Sequence, residues 1–258
     1  MPSTTYSLPS TVADRCSHRW VTVTLEAPAA PGMQSMLDAG LREDRLALNY
    51  LQTVLAGNVF PAMDTVLDAV SQGLPIRDAY LKVLLPAQQE VGRLWHLNEI
   101  SISEEHLVSY TTQRVMALLS TRMPRKPDNG LTVIAGSVAG NVHDIGIRAI
   151  SYLFEFEGWR TIYLGSDIPR QELPATMDSY DADLLLLSVA LVTQLPATER
   201  AIAEIRSHSQ RPVKIMVGGN GLAERPGYWK DMGADGYAAD AVEALELASE
   251  LVSGQPAA

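Results

Sequence analysis

The sequence has almost no cysteine and very little lysine: one Cys, at position 16, and four Lys in 258 residues. A single thiol supports neither a disulfide framework nor a thiolate metal cluster, so a reducing, cytoplasmic setting is the expectation. The formal charge is −10, and no basic stripe interrupts it. Such a chain repels phosphate backbones, which argues against direct nucleic-acid binding. Long apolar runs are missing too. Nothing approaches the roughly 18–20 residues of a membrane-spanning helix, and no signal-peptide core opens the chain. What is present is an ordinary globular composition, 47% hydrophobic and 19% charged, with 18 Gly and 15 Pro. That excludes collagen-like and largely disordered classes.

Residues 1–35 scatter Ser, Thr and Pro and close on Ala27-Pro28-Ala29-Ala30-Pro31-Gly32. They read as a flexible arm with one short alternating strand, Val21–Leu25. Cys16 and His18 fall in it. Residues 36–123 carry helical periodicity in four stretches: Leu41 to Leu55, Val59 to Val70, Pro75 to Val91, and a last run to Met123. Pro86 marks a kink in the third, and Ser101-Ile102-Ser103-Glu104 has capping-box spacing at the start of the fourth. Four amphipathic segments with short joints predict a four-helix bundle.

Residues 124–130, with two prolines, Asn129-Gly130 and no apolar side chain, form a linker. Beyond it, in residues 131–254, the period changes. Strand-like runs at 131–135, 161–164, 183–189, 213–217 and 236–238 alternate with helical stretches. Leu184-Leu185-Leu186-Leu187 implies burial on both faces of a sheet. The fold class is therefore α/β: a helical bundle, then a five-stranded parallel Rossmann-like or flavodoxin-like domain. Ligands of such sheets bind beyond the carboxyl ends of the strands, which draws attention to the loop 136–146 after the first one.

That loop reads Gly136-Ser137-Val138-Ala139-Gly140-Asn141-Val142-His143-Asp144-Ile145-Gly146. It matches neither phosphate fingerprint: no Gly-Lys-Ser/Thr is present, and its glycines do not make G-x-G-x-x-G. Taken alone, a loop His is as compatible with a solvated turn as with a ligand. Ser188 then closes the third strand and Gly218-Gly219 the fourth, at the same sheet edge. Forty-one residues separate Gly146 from Ser188, and 27 separate Ala190 from Gly218.

In residue types and both gaps this resembles the cobalamin-binding domains of methionine synthase, mutases and corrinoid methyl carriers, over roughly residues 131–252. Their pattern is D-x-H-x-x-G, then S-x-L or S-x-T, then G-G. The resemblance implies that His143 is the lower cobalt ligand, replacing the cofactor's own base. It implies that the displaced nucleotide tail lies beside Ser188, Gly218 and Gly219. Asp144, Ile145 and Gly146 fall within the same cofactor-binding loop. Two positions depart from the pattern. Asn141 stands where the family has an acid; its amide oxygen can orient the imidazole but makes it less basic than a carboxylate would. Ala190 stands in place of Leu or Thr.

Trp95-His96 is followed by Glu105-His106, a W-x9-E-H spacing at the joint of the third and fourth helices. This resembles the cap of CarH-type light sensors, which bind adenosylcobalamin. It implies Trp95 over the upper face, Glu105 and His106 beside the adenosyl group, and His96 as an upper cobalt ligand after photolysis. Each residue alone has a plainer reading, in packing or in complementing a helix end. His208 reads as a surface residue, Met63 and Met116 as packing, and Trp159 and Trp229 as domain packing.

The first functional expectation is thus a cobalamin-dependent light sensor lacking a DNA-binding domain. It would signal through a homo-oligomer, a dimer or tetramer, or through a downstream protein. A bilin such as biliverdin is a possible second chromophore in such relatives. The alternative is a corrinoid carrier in methyl transfer. A vitamin-storage module ranks below both, and a radical mutase would need a barrel domain that is not encoded.

Overall fold

A computed structural model describes residues 41–253 apart from 224 and 226. The expected arm, with its strand at Val21–Leu25, Cys16 and His18, lies outside the described residues.

The first helix, α1 (Arg42–Leu55), buries Ala47, Tyr50, Leu51 and Val54, the i, i+3, i+4, i+7 stripe of a core-facing helix. The next, α2 (Val59–Ser71), buries Ala62, Met63, Val66 and Ala69, the i, i+1, i+4, i+7 form of such a stripe. The third rod, α3, runs through Ile76–Asp78, Ala79–Leu84 and Leu85–His96, and its middle part is a π turn. The expected kink takes this form because Pro86 has no N–H to donate and its ring crowds the preceding turn. The fourth helix, α4 (Ile102–Ser120), begins with the capping box read from sequence. The Ser101 N–H donates to Glu104 Oε2 at 2.7 Å, and Ser101 Oγ accepts from the Glu104 N–H at 3.3 Å.

Beyond residues 124–130 come β1 (Thr132–Val138), α5 (Ile145–Phe156), β2 (Arg160–Ile168), α6 (Leu173–Ser179) and β3 (Leu184–Ser188). They are followed by α7 (Leu195–His208), β4 (Lys214–Gly218), α8 (Tyr228–Asp231), β5 (Gly236–Ala238) and α9 (Ala241–Ser253). All pairings are parallel, in the order β2-β1-β3-β4-β5. The direction of winding reverses between β1 and β3, so their carboxyl ends frame the switch-point crevice. There Ser137, Ser188, Gly218 and Ala238 fall in one row across four strands.

One face of the sheet is covered by α5 and α9, through Ile147, Phe154, Ala244 and Ala248; α6 and α7 cover the other. The buried run Leu184–Leu187 lies between them, as its unbroken hydrophobicity predicts. Ala149, Leu153 and Phe156 of α5 belong to the same apolar cluster as the bundle core, so the bundle sits on this helix. The Tyr80 hydroxyl donates to the Met116 carbonyl at 2.5 Å while its ring meets Tyr152 and Phe156 edge-on. Among the described residues, no helix is long and apolar enough to cross a membrane.

Candidate functional site

His143 sits in the loop between β1 and α5, exposed at the crevice. Two neighbouring side chains, Asn141 and Ser137, hold it. Its backbone N–H donates to Asn141 Oδ1 at 3.0 Å, and its carbonyl accepts from the buried Ser137 hydroxyl at 3.1 Å. Its Nδ1 lies 3.3 Å from the same Asn141 oxygen. The Asn141 side chain is fully buried and gives its Nδ2 to the Ser188 carbonyl at 2.9 Å. That bond assigns oxygen and nitrogen in the amide. The oxygen facing His143 must accept, so Nδ1 is the donor, and in the neutral ring this tautomer turns the Nε2 lone pair to a metal.

Exposed apolar side chains stand in the loops that follow β1 and β3 at this sheet edge. Val142 is 72% exposed, Leu191 50% and Val192 41%. Space is open where a Cβ on Gly146 would stand. An imidazole among exposed apolar side chains suits a flat macrocycle carrying a metal, so these residues fit a corrin. Gly218 and Gly219 make no open cradle in this structure. A Cβ on Gly218 would meet the Ala238 carbonyl at 2.7 Å, and one on Gly219, at φ +107°, the Val189 carbonyl at 2.5 Å. Both glycines therefore serve a close approach of protein backbone. Ala190 donates its N–H to Gln194 Oε1.

Asp144 and Ile145 reach the bundle. Asp144 Oδ2 accepts from the Tyr163 hydroxyl and from Arg148 Nη2, both at 2.6 Å, and Gln113 Nε2 of α4 lies 3.5 Å from Oδ1. Burial, then the Asp144 hydrogen bond, pushes the Tyr163 phenol well above its ordinary range. Burial opposes the Arg148 charge, but the Asp144 carboxylate outweighs it and holds the guanidinium above its usual value. Ile145 packs against the bundle core. These two residues, read from sequence as cofactor contacts, join the bundle to the loop that carries His143.

Trp95 and His96 end α3, and Glu105 and His106 lie near the start of α4, so all four fall at the bundle tip where the two helices join. Trp95 is 46% exposed, and His96 and His106 are exposed. Glu105 accepts from Ser109 Oγ at 2.6 Å, and His106 Nε2 lies 3.6 Å from its other oxygen. Ser109 also lies 3.0 Å from Gln88, which donates to Thr112 at 2.7 Å, beside the buried Tyr50 hydroxyl. Sequence reading missed this polar seam because its members are scattered over three helices. It missed Ser137, Asp167 and Gln194 around the loop for the same reason.

A family model described as a B12 binding domain matches residues 131–246, and a second B12 binding domain model matches residues 46–120. Dimethylamine corrinoid protein 3 of Methanosarcina mazei is 33% identical over 123 residues, 47% of this chain and 72% of that protein. This chain belongs to the B12-binding family. A corrinoid protein of Desulfitobacterium hafniense is 25% identical over 207 residues, 78% of this chain and 94% of the relative. The monomethylamine corrinoid protein of Methanosarcina barkeri shares the fold, with a TM-score of 0.70 at 22% identity over 81% of this chain and 99% of that one.

The B12 binding domain implies a cobalamin or other corrinoid cofactor. These relatives are corrinoid proteins rather than light sensors, and that overturns the expectation of a cobalamin-dependent photoreceptor. The adenosyl group and the bilin lose the support which that expectation lent them, and with it goes the photolysis on which a ligand role for His96 depended. The W-x9-E-H spacing has a local physical basis. A short joint between two helices brings Trp95 near the first turn of α4, where Glu104 and Glu105 complement the positive helix end.

Proposed function

We propose that this chain is a corrinoid carrier in methyl transfer, receiving a methyl group from one methyltransferase partner and yielding it to another. Residues 131–254 hold the corrinoid, residues 36–123 cap it, and residues 124–130 join the two. When bound, the corrinoid supplies a cobalt centre that can take up and release a methyl group. The chain's own part is to bind, orient and shield. His143 offers Nε2 from below, and Asn141 fixes the ring and its tautomer. Val142, Leu191 and Val192 give the macrocycle an apolar seat. Ser188 ends β3 on the side toward the displaced tail, and Gly218 and Gly219 hold that sheet edge close against the neighbouring backbone.

The observation that carries this reading is the Ser188–Asn141–His143 chain of hydrogen bonds, which makes Nδ1 the donor and leaves Nε2 as the ring's ligating position at the switch-point crevice. The names borne by the relatives, corrinoid proteins of dimethylamine and related systems, support methyl carriage over storage. The full chain, loaded with cobalamin and reduced to cobalt(II), should show hyperfine coupling to a 15N-histidine nitrogen. His143→Ala should abolish it. The loaded protein in its cobalt(I) state should then accept a methyl group from a methylamine in the presence of a corrinoid-dependent methyltransferase. Absence of protein nitrogen on cobalt, or failure of every such enzyme to methylate the loaded carrier, would refute the proposal.

A further inference from the structure

Gln194 belongs to no motif, yet its side chain is 6% exposed and fully engaged at the switch point. It lies in the turn between β3 and α7. Its Oε1 accepts the N–H groups of both Ala190 and Leu191 at 3.0 Å, and its Nε2 donates to the Gly140 carbonyl at 3.1 Å. The β3 loop is thereby stapled to the loop that carries His143.

Gly140 is held from the other side as well. Its N–H donates to Asp167 Oδ1 at 2.7 Å, and the Asp167 N–H donates to the Asn141 carbonyl at 3.1 Å. Asp167 keeps a left-handed backbone, φ +56°, to make this clamp. The Gly140–Asn141 segment is thus gripped by β2 on one side and by Gln194 on the other. The next group along the chain is the Asn141 amide that sets the imidazole.

We propose that Gln194 is a positioning residue for His143: by tying Gly140 to the Ala190–Leu191 backbone it holds the Asn141 amide on the ring, and so sets the strength of the imidazole–cobalt bond. The inference rests on the carrier reading, in which His143 is the lower ligand. The side chain has to be an amide. Two backbone N–H groups need an acceptor while a carbonyl needs a donor, and among side chains of this length only glutamine offers both from one planar group. Leucine leaves all three backbone groups without a partner. Glutamate keeps the acceptor and turns an oxygen toward the Gly140 carbonyl. Freed on that side, Asn141 loses its fixed bearing on Nδ1, and outer groups of this kind commonly change metal affinity by ten-fold or more.

An axial nitrogen stabilises cobalt(II) over cobalt(I), so a weaker imidazole bond makes reduction easier. A ten-fold loss corresponds to a cobalt(II)/cobalt(I) midpoint about 59 mV more positive in this one-electron couple. The experiment is redox titration of the full-length protein loaded with cobalamin, as wild type, His143→Ala, Gln194→Leu, Gln194→Glu and Thr198→Val. Thr198 donates to the Gln194 backbone carbonyl at 3.0 Å, so its variant disturbs the same helix start while sparing the Gln194 side chain. Both Gln194 variants should shift positively, in the direction of His143→Ala and by less. Thr198→Val should match wild type. In the cofactor-free proteins, hydrogen exchange at the Ala190 and Leu191 amides should speed up in Gln194→Leu and stay slow in Gln194→Glu.

A midpoint unchanged in both Gln194 variants while His143→Ala shifts would overturn the proposal. A Thr198→Val shift as large as theirs would do the same. If His143→Ala itself leaves the midpoint unmoved, the carrier reading fails instead.

Discussion

Asn141 gives its side-chain N–H to the carbonyl of Ser188 at 2.9 Å, and that one bond determines which face of its amide meets His143. It also accounts for an amide where the family pattern has an acid. A carboxylate at this fully buried position would set an oxygen against the Ser188 carbonyl with no proton between them. Asn141→Asp should therefore cost about 1–3 kcal/mol of stability, the usual penalty for a buried polar group left without its partner. Urea unfolding of the cofactor-free protein at neutral pH measures it, and an unchanged midpoint would count against this account.

Tyr163→Phe removes a hydrogen bond to the Asp144 carboxylate at 2.6 Å, in the cluster where Gln113 of α4 reaches the His143 loop. A bond to a charged acceptor is worth about 1.5–3 kcal/mol. Burial first and Asp144 second raise the phenol above its ordinary value. For an acid so raised, the stabilisation is complete below the ordinary tyrosine range and is lost only as pH climbs through the raised value. The deficit of Tyr163→Phe should thus be the same at about pH 6 and about pH 9. Unfolding curves at the two pH values check it.

Gly219→Ala should destabilise the sheet edge. At φ +107° an L-residue is strained, and its Cβ would lie 2.5 Å from the Val189 carbonyl, a rigid backbone atom. Forced backbone shifts of this kind cost about 1–3 kcal/mol, to which the backbone conformation adds. Gly146→Ala, with open space at its Cβ, should leave folding stability nearly unchanged. The two variants form a matched pair for thermal unfolding.

Glu155 supplies a pH test at the opposite end of α5. Burial raises its carboxyl pKa, and Arg125, 2.9 Å away, lowers it by less. The raised value means that ionised Glu155 is disfavoured in the folded chain. Its contribution is present below the ordinary carboxylate range and is lost as pH rises through the raised pKa. Glu155→Gln should therefore melt above wild type at about pH 7, with the difference disappearing near pH 4. A lower melting temperature at neutral pH would show that the Arg125 ion pair outweighs the burial.

Much of this protein is legible along the chain. The change from helical to alternating period near residue 130, the Ser101–Glu104 cap and the unbroken Leu184–Leu187 strand each reflect local rules, and each forms as those rules require. The loop with His143 and its spacings to Ser188 and Gly218 carry the resemblance to corrinoid-binding domains along the chain itself. The Trp95–His106 spacing misled, because a pattern shared by two helix ends carries packing and capping as readily as chemistry.

Sequence by itself determined the element types, the bundle-then-sheet order and the loop that bears the imidazole, because hydrophobic period, capping and glycine placement act over a few residues. Tertiary structure alone decided that Asp144 faces Tyr163 and Arg148 rather than the crevice, that Gly219 serves the Val189 backbone, and that Gln194 and Asp167 grip Gly140. Those partners lie 19 to 54 residues away from each other where they come from different elements, as Tyr163 does from Asp144 and Gln194 from Gly140. A hydrogen bond of about 3 Å is fixed by where the strands end in space, and no local pattern in the chain encodes that distance.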